Sequence, residues 1–229
     1  MESKDRSVRK AAFDALYETY TKQKNTLAAT YYSSVKKDAF MADVRKYSSS
    51  LEAALDDDNI PLSVYENLIS SVHKYLPLMH RYVDIRKKIL GVDELHPYDL
   101  YAPLSESSDM KITYQQAKDI ILKALSPMGE EYVNALKEGF NGGWIDVYEN
   151  SGKRGGAYSW GTYTCHPYVL LNHTDNLNSM FTIAHEMGHA LHSYYTWKTQ
   201  PYIYSGHKIF VAEVAPTCNE ALLMEYMLK

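Results

Sequence analysis

The chain has 229 residues and a formal net charge of −4, and its 45% hydrophobic and 23% charged residues are ordinary for a soluble globular protein. The acidic balance and the lack of a long basic run argue against nucleic acid as a partner, and no apolar stretch approaches the ~18–20 residues that cross a bilayer. The charged amino terminus lacks the apolar core of a secretory signal, and Cys165 and Cys218 offer no disulfide framework, so we expect a cytoplasmic protein without membrane or nucleic-acid partners.

Helical spacing of apolar residues dominates the first 140 positions. Residues 4–55 predict a helical hairpin whose second helix covers 25–55, with a candidate break at Ser33 and Ser34. The acidic stretch that ends at Pro61 is typical of a turn, and Pro61 suits the first turn of the helix that follows.

Two further helical segments are predicted after this turn. The first covers 62–90, with a candidate bend at Pro77 and an end at Gly91. The second covers 114–139 and is divided near Pro127. The amino-terminal part of the chain is therefore expected to be almost entirely helical.

The composition changes between residues 142 and 172, where glycines cluster with tryptophan and tyrosine. This mixture predicts a small sheet, with strands within 157–164 and 168–171. A free sheet edge can hold a peptide as an added strand, and Gly155 and Gly156 would allow a close backbone approach. A purely structural hairpin is the alternative that this pattern leaves open.

The next segment contains His-Glu-x-x-His at residues 185–189. His185 and His189 are four residues apart, so on a helix both project from one face and can share a tetrahedral zinc ion. Glu186 is rotated by about 100° from His185 and is placed to take a proton from water at the metal. This spacing is typical of zinc peptidases.

The surroundings favour a buried helix over two accidental histidines. Thr174 or Asp175 is the expected N-cap, and small Ala184 and Gly188 allow close packing around a metal. Apolar residues recur at helical spacing, and these are Leu177, Met180, Phe181, Ala184 and Leu191.

A zinc ion needs a third protein ligand. His192 lies about 10 Å along the helix from His185, too far for both to bind one ion. Glu213 and Glu220 share a face of a later helix, so either could bind the metal while the other supports a ligand histidine. The apolar neighbours of Glu213 predict that it is at least partly buried.

Eight stretches of this sequence resemble the oligoendopeptidase F branch of the thimet oligopeptidase/neurolysin family of metallopeptidases. They are Tyr98–Tyr101, Trp144–Tyr148, Gly155–Ser159, His166–Asn172, His185–Tyr195, Gln200–Tyr204, Phe210–Ala215 and Asn219–Leu223. The similarity covers essentially the whole chain. Pro216 and the two cysteines depart from the family pattern without replacing a catalytic position.

The resemblance implies a role for each of these site residues. Zinc, one ion per chain, is held by His185, His189 and Glu213, Glu186 is the general base, and Glu220 lies behind the ligands. The substrates are short peptides. The residues expected to contact the peptide are Gly155, Gly156, Ala157, Tyr158, His166 and His207.

The resemblance also implies a mainly α, zincin-like fold of the neurolysin type, with a small sheet next to the His-Glu-x-x-His helix. We expect residues 1–229 to be one segment of a larger metallopeptidase, helical over 1–140 and carrying the sheet and metal helices over 141–229. Complete family members are longer, with Tyr and His donors in a tail beyond the third ligand. The alternative is a truncated helical fragment that binds metal or peptide without turnover.

Overall fold

The computed structural model describes residues 1–104 and 110–229. The chain divides into two compact units, Met1–Ser108 and Asp109–Lys229. The expected division into a helical part over 1–140 and a part with the sheet and metal helices over 141–229, within a single segment of a larger metallopeptidase, stays a prediction. In the described part of the chain, no helix has both the length and the apolar character needed to cross a membrane.

The first unit is helical. Its elements are α1 (Arg6–Lys22), α2 (Lys24–Val44), α3 (Ser50–Asp56), α4 (Leu62–Leu90) and a 3₁₀ turn (Pro97–Asp99). The break expected at Ser33 and Ser34 was wrong: α2 continues through them, and Ser33 Oγ bonds the carbonyl of Ala29 at 2.8 Å. The interruption lies instead between α2 and α3, where Ser49 caps the next helix.

The α4 helix follows the sequence pattern closely. It contains Pro77 and ends at Gly91, whose φ of +62° is the left-handed conformation that glycine adopts without strain. Pro61 precedes the helix as its N-cap residue rather than lying in its first turn.

A buried carboxylate, Asp99, ties α1 and α4 to the 3₁₀ turn. Arg9 donates to Asp99 Oδ1 at 2.8 Å and Arg6 donates to Oδ2 at 3.0 Å, while Arg86 of α4 donates to the Asp99 backbone carbonyl at 3.1 Å. Burial alone would raise the pKa of Asp99, but the hydrogen bonds from the two arginines of α1 outweigh it and hold this pKa well below its usual range.

The second unit carries the remaining elements. They are α5 (Tyr114–Ala124), a 3₁₀ turn (Ser126–Met128), α6 (Glu130–Asn141), β1 (Ile145–Asp146), β2 (Tyr158–Trp160), β3 (Tyr168–Leu170), α7 (Leu177–Thr199), a 3₁₀ turn (Tyr202–Tyr204), α8 (Ile209–Ala212) and α9 (Val214–Met227). Its core lies between α5, α6, α7 and α9, with Val169 contributed from β3 and Trp144 from the position just before β1. The fold is mainly helical with a small sheet beside α7, as predicted.

The sheet has three strands in the order β1-β3-β2. The parallel β1–β3 pairing sets Ile145 opposite Val169, and the antiparallel β2–β3 pairing sets Ser159 opposite the same Val169. Two of these strands were predicted; β1, at two residues, is too short to produce a period-two pattern. The β2 strand lies at one edge of the sheet and packs beside α7.

The N-cap of α7 lies one residue after Asp175, the later of the two predicted N-caps. Asn176 is the N-cap, and its side chain accepts a hydrogen bond from the backbone of Ser179 at 2.8 Å, whereas Asp175 is in a left-handed conformation with φ of +51°. Leu177 was wrongly expected to face the core; it is 38% exposed because it lies at the outer end of the first turn. Met180, Ala184 and Leu191 are fully buried, as predicted.

The backbones of α7 and α9 approach closely at Gly188. A Cβ atom at this position would lie 2.6 Å from Pro216 Cα and 2.8 Å from Pro216 N. Only glycine fits this contact, and it brings the start of α9 against the middle of the His-Glu-x-x-His segment.

Candidate metal centre

His185 and His189 project from one face of α7, with ring centroids 4.9 Å apart and planes inclined by 80°. Glu213, between α8 and α9, faces both rings. Its Oε2 lies 3.3 Å from His185 Nε2 and 3.6 Å from His189 Nε2. Each of the three residues offers one possible ligand atom, and these three atoms all lie within 4.8 Å of one another.

This arrangement fits a zinc ion. Tetrahedral coordination at about 2.0–2.1 Å places neighbouring ligand atoms roughly 3.3 Å apart, close to the two separations between Glu213 and the imidazoles. Two nitrogens and one carboxylate oxygen also match the ligand chemistry of catalytic zinc, which leaves one position open. Within residues 1–104 and 110–229, these three residues form the single group of His, Cys, Asp or Glu that meets this geometry.

The other ring nitrogen of His185 also has a partner. His185 Nδ1 lies 3.0 Å from Glu220 Oε1. Such a partner favours the tautomer that keeps Nε2 of His185 free to bind a metal. The two carboxylates that the spacing alone left open are thus separated by geometry: Glu213 faces Nε2 and Glu220 faces Nδ1.

Burial differs between two of the candidate ligands, His189 and Glu213. Burial lowers the pKa of His189, which favours the neutral, metal-binding imidazole. Glu213 was wrongly expected to be partly buried; its side chain is 59% exposed, because Phe210 and Val214 beside it also face outward.

Glu186 is buried on the neighbouring face of α7, with 7% of its surface exposed. Burial raises the pKa of its carboxyl group, and the facing Glu213 raises this pKa further, while His185 and the backbone N–H of Ser159 oppose the increase. Its Oε2 atom has no protein partner among the described residues. A buried carboxylate with such an unpartnered oxygen, next to the candidate ligands on α7, has the form of a proton acceptor.

His192 and His207 form a stacked pair beside these residues. Their ring centroids are 4.0 Å apart and their planes differ by 19°. Burial lowers the pKa of His192, and His207 lowers it further. His192 lies outside the group of potential ligands, as expected, and His207 is brought to within electrostatic range of His189.

The expected peptide-contact segment, residues 155–158, leads into β2. Gly156 has φ of +91°, and its carbonyl accepts a hydrogen bond from Asn172 Nδ2 at 2.8 Å. Tyr158 is exposed on the strand, and Gly156 and Ala157 line a pocket of about 270 Å³ with residues at the start of α7.

His166 is placed apart from this group. Its ring stacks on Trp144 at 5.4 Å with 5° between the planes, and its Nδ1 lies 2.7 Å from the carbonyl of Pro167. The structure therefore gives His166 a packing environment at the base of β3.

Three residues near the centre have little sequence signal of their own. The backbone N–H of Ser159 lowers the pKa of Glu186, so its side-chain type carries no information. Asn219 and Tyr132 are joined by a hydrogen bond across α9 and α6, 87 positions apart in sequence. A polar residue on an apolar helix face was the one available clue to Asn219.

Comparison with known proteins gives the family. The sequence profile of peptidase family M3 matches residues 1–229, and the chain belongs to that family. It is 57% identical over 228 residues to oligopeptidase PepF of Bacillus subtilis, covering 100% of this chain and 34% of that protein. It is 45% identical to an oligoendopeptidase F homologue of Lactococcus lactis, covering 100% of this chain and 38% of that protein.

A solved structure agrees with this assignment. The crystal structure of oligoendopeptidase-F from Enterococcus faecium superposes with a TM-score of 0.64 at 38% identity, covering 99% of this chain and 33% of that one. The resemblance to the oligoendopeptidase F branch is thereby confirmed. The chain spans about a third of the length of the relatives that it matches.

Proposed function

We propose that this chain carries the metal centre of a zinc-dependent endopeptidase that hydrolyses short peptides. The observation that carries the proposal is the facing of Glu213 Oε2 with Nε2 of both His185 and His189, at 3.3 and 3.6 Å. These three residues would hold one zinc ion per chain. The free thiols of Cys165 and Cys218 suit the cytoplasm, which we propose as its location.

Zinc bound by these ligands supplies Lewis-acid chemistry, which polarises the scissile carbonyl and favours ionisation of a nucleophilic water. Glu186 takes the proton of that water at Oε2, the oxygen without a partner in the described part of the chain, and later delivers it to the leaving amine. Burial of this carboxylate raises its pKa, which brings its proton affinity closer to that of the groups it must exchange with.

The neighbouring groups act on these residues. Glu220 holds Nδ1 of His185. The backbone N–H of Ser159, in β2, lowers the pKa of Glu186. A disturbance of β2 is therefore expected to alter the pKa of the base.

We assign peptide binding to the edge formed by Gly155, Gly156, Ala157 and Tyr158. An edge strand beside the metal centre can pair with an extended substrate through backbone hydrogen bonds. The left-handed conformation of Gly156 shapes the entry to this edge. We assign His207, whose ring stacks on His192, as a donor to substrate. His166 is retained as a more remote contact at the base of β3.

The test is zinc stoichiometry measured together with cleavage of a fluorogenic peptide by the purified chain. One zinc per chain with cleavage that a chelator stops is the expected result if residues 1–229 suffice for catalysis. A folded chain that takes up no zinc from a metal-supplemented buffer would overturn the metal centre.

One second candidate rests on a specific observation. The chain spans 34% of oligopeptidase PepF of Bacillus subtilis, so groups that complete the active site can lie outside it. In that case the chain binds zinc or peptide without turnover. One zinc per chain with no cleavage supports this candidate.

A further inference from the structure

A buried hydrogen-bonded chain connects three helices behind the metal centre. The hydroxyl of Tyr132 in α6 donates to Asn219 Oδ1 at 2.8 Å, and Asn219 Nδ2 donates to the carbonyl of Ala184 in α7 at 3.0 Å. Asn219 is 1% exposed. One N–H of its amide and the amide oxygen are both hydrogen-bonded, so the orientation of this amide is fixed from both sides.

Two members of this chain adjoin residues of the metal centre in sequence. Ala184 precedes the proposed zinc ligand His185, and Asn219 precedes Glu220, which contacts His185. The hydrogen bond from the Asn219 side-chain amide to Ala184 and the contact of Glu220 with His185 are therefore consecutive links between α9 and α7. The first link is buried and uncharged, and the second joins a partly exposed imidazole to a carboxylate.

The first link can set the geometry of the second. The side chains of Glu220 and His185 have several rotatable bonds and are partly accessible to water, so their contact alone fixes the helices weakly. A buried hydrogen bond is lost only at the cost of an unpaired polar group, so Asn219 strongly restricts the sliding of α9 along α7. The close approach of Gly188 to Pro216 sets the spacing of these helices but does not fix their register by hydrogen bonding.

We propose that Asn219 is a positioning residue of the metal centre: through its bond to Ala184 it holds Glu220 against Nδ1 of His185 and so directs Nε2 towards the metal. This inference rests on the proposed function, because its consequence is the affinity for zinc. Tyr132 supports the role by fixing the Asn219 amide. Neither residue touches the metal or the substrate.

The test compares Asn219→Leu with Leu223→Ala in the 229-residue chain. Leu223 lies one turn further along α9, is fully buried, and has no part in the hydrogen-bonded chain. We expect Asn219→Leu to weaken zinc binding about 10-fold, the lower end of the range for groups that support metal ligands. Leu223→Ala should lose at least as much stability to urea and keep its zinc Kd within about twofold of wild type.

A double-mutant cycle tests the route through Glu220. In a Glu220→Gln background, Asn219→Leu should weaken zinc binding by less than about twofold more, because the contact that it positions is already impaired. An unchanged 10-fold effect in that background would show that Asn219 does not act through Glu220. An equal loss of affinity in Leu223→Ala would reduce the effect to general destabilisation, and either result overturns the proposal.

A readout without metal separates this proposal from the proposed function. Long-range ¹H–¹⁵N spectra of the metal-free chain report which nitrogen of His185 carries the proton. We expect Nδ1 to carry a proton in wild type, because Glu220 Oε1 lies within hydrogen-bond distance of it, and to lose this preference in Asn219→Leu. If wild type binds no zinc but the variant shows this change, the peptidase proposal fails and the positioning role stands.

A milder variant covers the case in which Asn219→Leu does not fold. Asn219→Asp keeps the acceptor for Tyr132 but removes the donor to Ala184. It should reproduce the loss of zinc affinity and the change of tautomer. Unchanged tautomer and affinity in a folded Asn219→Asp chain would overturn the role of the bond to Ala184.

Discussion

Glu220 Oε1 lies 3.0 Å from Nδ1 of His185, while Oε2 of Glu213 lies 3.3 Å from Nε2 of the same ring. One imidazole is thus held between two carboxylates that are seven residues apart. The two contacts differ in consequence, because only Nε2 also faces the region shared with His189. The pair Glu213 and Glu220 therefore offers a direct test of the metal assignment.

Replacing the two glutamates by alanine should weaken zinc binding unequally. Glu220→Ala removes the partner of a proposed ligand histidine and should cost about 10–100-fold in affinity. Glu213→Ala removes a proposed ligand and should cost more than Glu220→Ala. Competition with a chromogenic chelator measures both constants, and the reverse order would move the third ligand to Glu220.

Glu186→Gln should separate metal binding from chemistry. The amide preserves the shape of the side chain but cannot accept the proton of water, so any form of the protein that cleaves peptides should lose about 10²–10⁴-fold in kcat. Zinc content should stay at the wild-type value, as measured by atomic absorption on the purified variant. Retained turnover would falsify the assignment of Glu186 as the base.

The parts of the site that could be predicted from sequence are those with local geometry. His185, Glu186 and His189 lie within one turn of one helix, so their spacing alone defines their relative directions. The third ligand depends on how α9 packs against α7, and spacing left Glu213 and Glu220 as equal candidates. The family resemblance, not the periodicity, distinguished them.

The fold shows the same limit. The α4 helix, with Gly91 at its end, was predicted almost to the residue, whereas the single helix expected over 25–55 is divided into α2 and α3. The β1 strand was missed because two residues carry no period, and it exists only because Ile145 pairs with Val169 of a later strand. Glu213 was expected to be partly buried from its apolar neighbours, but those neighbours face outward, and only the tertiary structure determines that.

Asp99 should make the free energy of unfolding of the first unit depend on pH in the acidic range. Its pKa is lowered on folding, so its contribution is fully present above the unfolded value of about 3.9 and is lost as the pH falls towards its folded value. Asp99→Asn leaves Arg6 and Arg9 without their carboxylate and should cost about 3 kcal/mol at pH 7.

Urea unfolding of the wild-type chain and Asp99→Asn at pH 7 and pH 2.5 measures this dependence. The difference in the free energy of unfolding should be largest at pH 7 and should shrink at pH 2.5. Glu94→Gln is a suitable control, since it alters an exposed carboxylate near the same turn. A difference between wild type and Asp99→Asn that grows on acidification would contradict the sign of the shift.

Gly188→Ala should destabilise the second unit although alanine favours a helix by about 1 kcal/mol over glycine. The added Cβ meets backbone atoms of Pro216 at 2.6 and 2.8 Å, and backbone cannot rotate away, so α9 must move from α7. Overpacking of this kind costs about 1–3 kcal/mol. Over most of this range the cost exceeds the gain in helix propensity. The same movement should draw Glu220 from His185 and weaken zinc binding.

Gly206→Ala provides the matched control, because a Cβ at Gly206 meets nothing within 4 Å and its backbone is in an ordinary conformation. Its stability should stay within about 0.5 kcal/mol of wild type. Urea unfolding and zinc titration of both variants measure the two effects together. If Gly188→Ala proves as stable as wild type and binds zinc equally well, then the close contact with Pro216 does not determine the geometry of the metal centre.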